Sequence, residues 1–542
     1  MQPANKNWLK DNWINLSILT LLIAVTFANA LNNVFLSDDL AEIVQNPNVG
    51  KFSYIFTHPF GFIRILLNYF AYHLGGLNPA VFRLINYGFH LGSVLLIYTI
   101  LTILINRRLA IIAAAFFAIH PAISEAVVWI SGGTYPQYTF FFLLSFLFYI
   151  LSSKSRLFYL LSSIFYLLSF MSHPVMPVTL FMIFLIYELC FGDIKKNWVR
   201  SIPYFLIAIA YILVNLSALP ERTTTLQSVH YQEKGIDNPF VLIPVAISSY
   251  LELIFFPKDL TLYHSELAFS KIQFLIRAGV TLLFLTFTII SFKKNKNIFF
   301  WLSLFWLSLA PTLTPFRLNW IVAERYLYLP SLGIFASLAL LLHNLSQKKQ
   351  YKYALYGLVI IAVAILSART IIRNIDWKNE DNLWIATGKT SPSSPNTHNN
   401  LGDVYGRWGD KQRALQEFQT AISLKPNYAD AYHNLANTYR ELNQLDLALE
   451  NYQKAIEFNP NLWQSYQNIA ALYFQNKQYD KALEYIQKAI QVNPKNINLY
   501  NNLGIVYLVS GDKEKAKQIF NQILSADPQN QIARQGLIEA SN

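Results

Sequence analysis

The residues best suited to chemistry are two adjacent carboxylates, Asp38 and Asp39, which follow the first long apolar run of the chain. Ionisable groups at a membrane boundary are costly and therefore mark function by default. Adjacent helical residues face different ways, so one carboxylate can take a proton while the other positions the loop or holds a cation. The structural alternative is a solvated helix end. The pair is a candidate general base, and Asp39 is preferred because it lies further beyond the apolar run.

Two arginines are candidates for binding a phosphate. Arg64 is an isolated guanidinium in apolar surroundings, and Arg325 follows Glu324 where the chain re-enters an apolar run. A guanidinium is suited to bidentate capture of phosphate oxygens. The structural alternatives are snorkelling for Arg64 and a neutralising Glu324–Arg325 ion pair. Glu324 and the neighbouring Tyr326 are supporting candidates.

Three further polar residues, His90, His120 and Glu125, lie within or near apolar runs. We interpret them as supporting residues, with a hydrogen-bonded helix contact as the alternative for each histidine. A single cysteine, Cys190, excludes intrachain disulfides and thiolate metal clusters. The sequence predicts no required metal, although Asp38 and Asp39 could hold a divalent ion. It contains no P-loop or dinucleotide fingerprint.

The elements that position these residues are membrane helices. Hydrophobic residues make up 54% of the 542 positions and charged residues 14%, which fits neither a soluble nor a disordered chain. Residues 1–375 carry 27 Lys and Arg against 14 Asp and Glu, whereas residues 376–542 carry 16 against 17. The positive charge therefore follows the apolar half, as membrane topology signals do, and argues against a nucleic-acid partner. The predicted spans are 14–36, 82–105, 109–130, 137–152, 157–171, 174–191, 199–218, 272–292, 298–316, 325–344 and 353–373.

Basic clusters between these spans predict the orientation, because cytoplasmic loops are enriched in Lys and Arg. Eleven spans place all six clusters in the cytoplasm if the apolar stretch 240–256 is re-entrant or interfacial. The amino terminus is then inside, and everything after Ile372 is outside. The candidate residues collect on the external face, where cytosolic ATP and nucleotide sugars are out of reach. The clusters are Lys6/Lys10, Arg107/Arg108, Lys154/Arg156, Lys195/Lys196/Arg200, Lys293/Lys294/Lys296 and Lys348/Lys349/Lys352.

The second half of the chain is a repeat with a period of 34 residues, marked by prolines from Pro392 to Pro528. It resembles the tetratricopeptide repeat, in which helix pairs stack into a solenoid. We predict an all-α protein with a membrane domain (1–375), a linker with a first helix (376–394), four repeats (395–528) and a capping helix (529–542). We expect the repeats to hold a polypeptide or a partner in a groove, where asparagines can hydrogen-bond an extended peptide backbone. The groove asparagines are Asn400, Asn434, Asn468 and Asn502.

Several motifs together resemble one known family. They are Asp38-Asp39 with Asn46-Pro-Asn-Val, Arg64 with Asn68-Tyr69, Gly76-Leu-Asn-Pro79, Arg83 to His90, Ala118 to Val127, and Ala323 to Pro330. The chain looks like a prokaryotic transmembrane and tetratricopeptide repeat-containing O-mannosyltransferase, a family similar in fold to the GT-C protein O-mannosyltransferases. The resemblance implies a polyprenyl-phosphate sugar donor, a catalytic carboxylate at Asp38 or Asp39, and a basic residue, Arg64 or Arg325, on the lipid phosphate.

The sequence therefore predicts an inverting glycosyltransferase that moves mannose or a similar hexose to a hydroxyl, such as Ser or Thr of a protein held by the repeats. The alternatives are a lipid-linked sugar transporter or flippase and a non-catalytic membrane-anchored scaffold. No cofactor besides the lipid-linked donor is expected. The expected location is the plasma (inner) membrane with external or periplasmic repeats, or the endoplasmic reticulum membrane with luminal repeats in a eukaryote.

Overall fold

A computed structural model describes residues 8–57, 61–217, 239–262, 264, 270–313, 322–347 and 349–542. These residues form helices, turns and extended segments without a β-strand, which confirms the all-α prediction. The chain divides into two compact units, Met1–Ser391 and Pro392–Asn542. The membrane unit extends past the predicted boundary at 375 because Leu383 and Trp384 of a further helix pack on its core.

The membrane unit contains sixteen α-helices among the described residues. They are α1 (Trp8–Phe27), α2 (Phe62–Gly75), α3 (Pro79–Leu104), α4 (Arg107–Ile119), α5 (Ser124–Val128), α6 (Thr134–Leu151), α7 (Arg156–Ser172), α8 (Phe181–Phe191), α9 (Ile194–Asn197), α10 (Ile202–Ser217), α11 (Pro239–Phe255), α12 (Lys271–Lys294), α13 (Lys296–Leu309), α14 (Pro330–Ser346), α15 (Lys349–Asp376) and α16 (Glu380–Thr390).

Six helices of the described residues are long and apolar enough to cross a membrane, and the number is seven if α4 and the segment Pro121–Val128, which meet at a bend of 57°, form one span. Four shorter apolar helices accompany them, among them the helix that covers the stretch 240–256. The chain is therefore an integral membrane protein, and the count of eleven spans stays a prediction. Lys6 and Lys348 of the basic clusters lie outside the described residues, and so does much of the two loops that the predicted spans leave at 219–271 and 317–324.

Two helix boundaries differ from the predicted spans. The first apolar run was expected to be a span to residue 36, but its helical part ends at Ala30, and the chain then runs non-helically towards Asp38. The predicted span 109–130 is broken at His120-Pro121. Proline has no backbone N–H, and the His120 ring accepts the N–H of Ala122 instead, so a new helical turn starts there.

The repeat unit is built from four helix pairs and a final helix. Its helices are α17 (Pro395–Arg407), α18 (Lys411–Leu424), α19 (Ala429–Glu441), α20 (Leu445–Phe458), α21 (Trp463–Gln475), α22 (Tyr479–Val492), α23 (Ile497–Ser510), α24 (Lys513–Ala526) and α25 (Gln531–Ser541). Each pair turns through a residue with positive φ, namely Gly409, Asn443, Lys477 and Gly511, again 34 residues apart. This left-handed turn reverses the chain within each repeat.

Candidate active site

Asp39 is fully buried and holds two segments of the membrane unit together. Its Oδ2 accepts the backbone N–H of Leu36 at 3.1 Å. Its Oδ1 accepts the backbone N–H of Ser131 at 2.8 Å and the Ser131 hydroxyl at 2.5 Å. Burial raises the pKa of Asp39 to about 6, while the bonds from Ser131 and Leu36 and the charge of Arg83 oppose this rise. The carboxylate is thus an anchor between the first external loop and the segment that follows α5.

Asp38 presents a different environment one residue earlier. Its side chain is exposed, and the preceding Ser37 has φ +51°, in the left-handed region that non-glycine residues rarely adopt. A short π-helical turn, Leu40–Val44, follows Asp39. Strained backbone of this kind is found at functional sites, where the surrounding structure holds it in place. Here the hydrogen bonds of Asp39 hold the backbone in place, and the side chain of Asp38 remains exposed to solvent.

Arg83, which belongs to one of the family motifs, fixes the backbone that leads to Asp38 and Asp39. Its fully buried guanidinium donates to the carbonyl oxygens of Leu31 and Asn33 at 2.8 Å each and of Val128 at 2.7 Å. The non-helical segment after α1 and the end of α5 are thereby fixed to α3. The sequence signal was an arginine near the start of a long apolar helix.

The segment Trp129-Ile-Ser-Gly-Gly133 was also missed by sequence reasoning, although its paired glycines are a signal. A Cβ on Gly132 would lie 2.8 Å from the Glu125 carbonyl oxygen, and one on Gly133 would lie 1.9 Å from Asn86 Oδ1. Only glycine allows this close approach. Trp129 donates its indole N–H to the carbonyl oxygen of Leu36 at 3.3 Å. The segment therefore connects the Asp39 loop to the helices α3 and α5.

Glu324 and Arg325 are adjacent in sequence but have different partners. Arg325 donates from Nη1 to Glu125 Oε1 at 2.5 Å and from its backbone N–H to Glu125 Oε2 at 2.9 Å. Its guanidinium also lies 5.6 Å from the Trp129 ring and 5.2 Å from the ring of Tyr326. The Arg325 side chain is only 13% exposed and Glu125 is fully buried. Trp129 thus contacts both candidate regions, that of Asp39 and that of Arg325.

Glu324 belongs to a second buried ion pair. It accepts from Arg373 Nη2 at 3.1 Å and from the backbone N–H of Thr261 at 2.5 Å, and Arg373 also donates to Asp376 at 3.0 Å. Arg373, near the end of α15, was not predicted. Arg325 thus neutralises Glu125, and Arg373 neutralises Glu324. Each arginine stabilises a carboxylate that would otherwise be an unpaired buried charge.

Arg64 donates from Nη1 to both carboxylate oxygens of Glu42 at 2.6 Å, and each side chain is about 33% exposed. The pair faces a small cavity whose other polar walls include Asn68, Ser131 and Gln137. Gln137 is buried, and its Oε1 has no hydrogen-bond partner among the described residues. This cavity adjoins the Asp39 anchor through Ser131.

The two histidines act as connectors. His90 Nδ1 meets the Tyr328 hydroxyl at 2.7 Å and Nε2 meets the Ala118 carbonyl oxygen at 3.0 Å. His120 Nε2 meets the Ile254 carbonyl oxygen at 2.9 Å. Both rings are fully buried, and both ring nitrogens of each are engaged. His90 therefore links α3 to α4 and to the residues before α14, and His120 links α4 to α11.

The described residues of this region do not provide a ligand set for a metal ion. Asp39 already accepts three hydrogen bonds, and Asp38 stands alone at the surface. Within the part of the chain that the structure describes, no three His, Cys, Asp or Glu side chains are grouped suitably for a metal ion. Asp38 and Asp39 together do not offer the several converging oxygens that Mg²⁺ or Ca²⁺ requires.

In the repeat unit, two of the four predicted asparagines line one cavity. Asn434 and Asn468 lie there together with Asn437, which was not predicted. Asn434 donates to Asn399 Oδ1 at 3.1 Å, and Asn468 donates to Asn437 Oδ1 at 3.0 Å. Asn400 instead donates within its own helix, to the Asn396 carbonyl oxygen, and neither it nor Asn502 lines this cavity. The unpredicted Asn437 lies one turn after Asn434 on the same helix, α19.

These features define a polytopic helical membrane protein with a tetratricopeptide-repeat module for protein interaction. Models of the tetratricopeptide repeat match residues 409–439, 429–462, 451–484 and 473–540. The crystal structure of MamA protein aligns with 29% of this chain and 84% of its own at 23% identity, with a TM-score of 0.26. The repeat assignment is therefore confirmed on the family models.

The resemblance to transmembrane and tetratricopeptide repeat-containing O-mannosyltransferases is confirmed as well. A protein O-mannosyl-transferase of Caenorhabditis elegans is 27% identical over 76% of this chain and 63% of its own length. Two human proteins, protein O-mannosyl-transferases TMTC3 and TMTC1, are 23% and 24% identical over 76% and 74% of this chain. The chain spans 52% and 54% of those two relatives. The similarity covers most of this chain and only part of its relatives.

Proposed function

We propose that this protein transfers mannose or a similar hexose from a polyprenyl-phosphate donor to a hydroxyl of a polypeptide on the external face of the membrane. The observation that carries the proposal is the joining of the acidic loop and the Arg325 region through Trp129. The motifs that suggested a glycosyltransferase thus converge, although 286 residues separate Asp39 from Arg325. Relatives named protein O-mannosyl-transferases support the reaction class.

The base that we assign is Asp38, whereas the sequence favoured Asp39. A general base must come within about 3 Å of the proton that it takes. Asp39 is fully buried and three donors already occupy its oxygens, while Asp38 is exposed beside it. Asp39 is then a positioning residue, because its contacts fix the backbone that carries Asp38.

In the proposed step, the acceptor oxygen attacks the anomeric carbon as the Asp38 carboxylate takes its proton. The bond between that carbon and the phosphate oxygen breaks, and its electron pair leaves with the polyprenyl phosphate. Attack opposite to the leaving group inverts the anomeric configuration, so one base suffices. The charge that develops on the phosphate needs a preplaced cation. We assign this role to Arg64, which is the more exposed of the two candidates and lines the cavity beside Ser131.

The test is an assay of the purified full-length protein with radiolabelled polyprenyl-phosphate mannose and a Ser/Thr-containing peptide. Transfer of label to the peptide, with inverted anomeric configuration by NMR, is the expected result. Absence of transfer from any polyprenyl-phosphate hexose to any hydroxyl peptide would contradict the proposal. Retention of configuration would contradict the single-base mechanism alone.

A matched pair of variants tests the phosphate ligand. Arg64→Gln should weaken binding of the lipid donor, whereas Glu42→Gln should strengthen it, because the guanidinium is then free of its internal partner. Isothermal titration with a non-transferable polyprenyl phosphate in detergent measures both. Equal weakening by the two variants would show that the pair is only structural.

A further inference from the structure

The cavity in the repeat groove has a charge distribution that its asparagines do not explain. It is formed mainly by the first helices of the first three repeats, α17, α19 and α21, with Lys411 and Phe418 of α18. Its charged lining residues are Asp403, Arg407, Lys411, Arg440 and Glu441.

Two of the three cations in this lining are neutralised within it. Arg407 pairs with Asp403, and Lys411 pairs with Glu441. His433 does not add a charge, because burial and the nearby Arg440 lower its pKa to about 4. Arg440 is therefore the one lining cation without a carboxylate partner among the described residues, and the cavity carries one net positive charge.

The neighbouring amides fix how Arg440 is presented. Asn437 Oδ1 accepts from the Tyr452 hydroxyl at 2.5 Å and from Asn468 Nδ2 at 3.0 Å. Because the amino group of Asn468 is used in this way, its Oδ1 faces Arg440, which donates to it at 3.4 Å. Among the described residues this is the one hydrogen bond that the Arg440 side chain makes, and it is long, so most of the five guanidinium N–H groups are available.

We propose that Arg440 binds a carboxylate of the polypeptide held in this groove. The proposal rests on the proposed role of the repeats in holding the acceptor and adds a sequence preference to it. A guanidinium in a polar pocket forms paired, charge-assisted hydrogen bonds to a carboxylate. A carboxylate also neutralises the net charge of the cavity. The carboxylate is either an Asp or Glu side chain or the end of the chain.

The experiment measures peptide binding to the full-length protein in detergent by fluorescence anisotropy, without donor lipid. Ser/Thr-containing peptides are compared in pairs that differ only by Glu against Gln, each with a free or an amidated carboxyl terminus. We expect the Glu peptide to bind roughly 10-fold tighter at low salt, as for one hydrogen-bonded charge pair. A preference that follows the free terminus instead assigns the site to a chain end.

Variants at Arg440 identify the residue responsible. Arg440→Gln should abolish the preference, Arg440→Lys should retain part of it, and Arg440→Glu should reverse it towards a Lys peptide. Arg413→Gln is the matched control, since Arg413 is exposed, pairs with Asp410 and lies outside the cavity lining. Circular dichroism checks that each variant is folded.

Equal affinity of wild-type protein for the Glu and Gln peptides, together with equal affinity for free and amidated carboxyl termini, overturns the inference and leaves the transfer reaction intact. A preference that survives in Arg440→Gln also overturns it. Absence of binding by all peptides overturns both the inference and the holding role of the repeats. Transfer to a short peptide, measured separately, tests the catalytic proposal independently of these results.

Discussion

The acidic pair can be tested by comparing Asp38→Asn with Asp39→Asn in the transfer assay. Loss of a general base costs about 10²–10⁴-fold in rate, or roughly 3–5 kcal/mol of barrier. We expect Asp38→Asn to fall in this range while the donor lipid still binds. Asp39→Asn should lose less, because an amide keeps the bonds from Ser131 and gives up only the acceptor for the Leu36 N–H.

The stability of the same variants separates the two roles further. Burial raises the pKa of Asp39 from 3.8 to about 6, which corresponds to about 3 kcal/mol. For a carboxyl group with a raised pKa, this stabilisation is present below pH 3.8 and is lost as the pH rises through 6. Wild-type protein should therefore lose most of this ~3 kcal/mol between pH 4 and 7. Asp39→Asn should lack that component of the pH dependence, and Asp38→Asn should retain it.

Thermal melts in detergent at pH 4 and 7, read as differences between each variant and wild type, measure this effect. Glu450→Gln is the control for a surface carboxylate, since it removes only an exposed pair with Lys454. A rate loss of 10²-fold or more in Asp39→Asn with near-normal Asp38→Asn would refute our assignment and make Asp39 the base. Near-normal turnover of both would leave the glycosyltransferase proposal without its catalytic centre.

Three further predictions concern the scaffold. Ser131→Ala removes a hydrogen bond that lowers the Asp39 pKa, so the midpoint of the Asp39-dependent stability change should move above pH 6, which the same melts would detect. Glu125→Gln leaves Arg325 buried without a counter-ion and should destabilise the membrane unit by about 3–5 kcal/mol; denaturation in detergent would show it, and an unchanged midpoint would contradict the pairing. Gly402→Ala places a Cβ 2.6 Å from the Phe418 ring and should cost the repeats about 1–3 kcal/mol by calorimetry, whereas Gly406→Ala, with a 4.0 Å approach, should not.

The repeat unit was predictable because the sequence pattern that specifies each helix pair lies within a single repeat. Small residues and turn positions recur every 34 residues, and each helix contacts mainly its sequence neighbours. The membrane helices were predictable from apolar length for the same reason, since a long apolar run specifies a helix in lipid without reference to distant residues. The location of the candidate carboxylates outside the first span also followed from the sequence.

The partners of the charged residues were not predictable, because they depend on how distant helices pack. Glu324 and Arg325 are neighbours, yet one pairs with Arg373, 49 residues away, and the other with Glu125, 200 residues away. Composition and spacing contain no information about such pairs. The role of Ser131 was not predictable either, since a serine between two spans has no distinguishing sequence pattern. Its role follows from the hydrogen bond that its hydroxyl donates to Asp39.

The same ion pairs determine which arginine can receive a phosphate. Breaking a buried pair by removing one partner costs about 3–5 kcal/mol, while an exposed pair contributes about 0–1 kcal/mol. Arg325–Glu125 is of the first kind, with a fully buried carboxylate, and it is reinforced by Trp129. Arg64–Glu42 is nearer the second kind, because both side chains are about one-third exposed. An incoming lipid phosphate can displace Glu42 from Arg64 at little cost, since Glu42 then returns to water. Displacing Glu125 would leave a carboxylate stranded in the protein interior, so Arg325 is better suited to hold the scaffold than to exchange partners in each catalytic cycle.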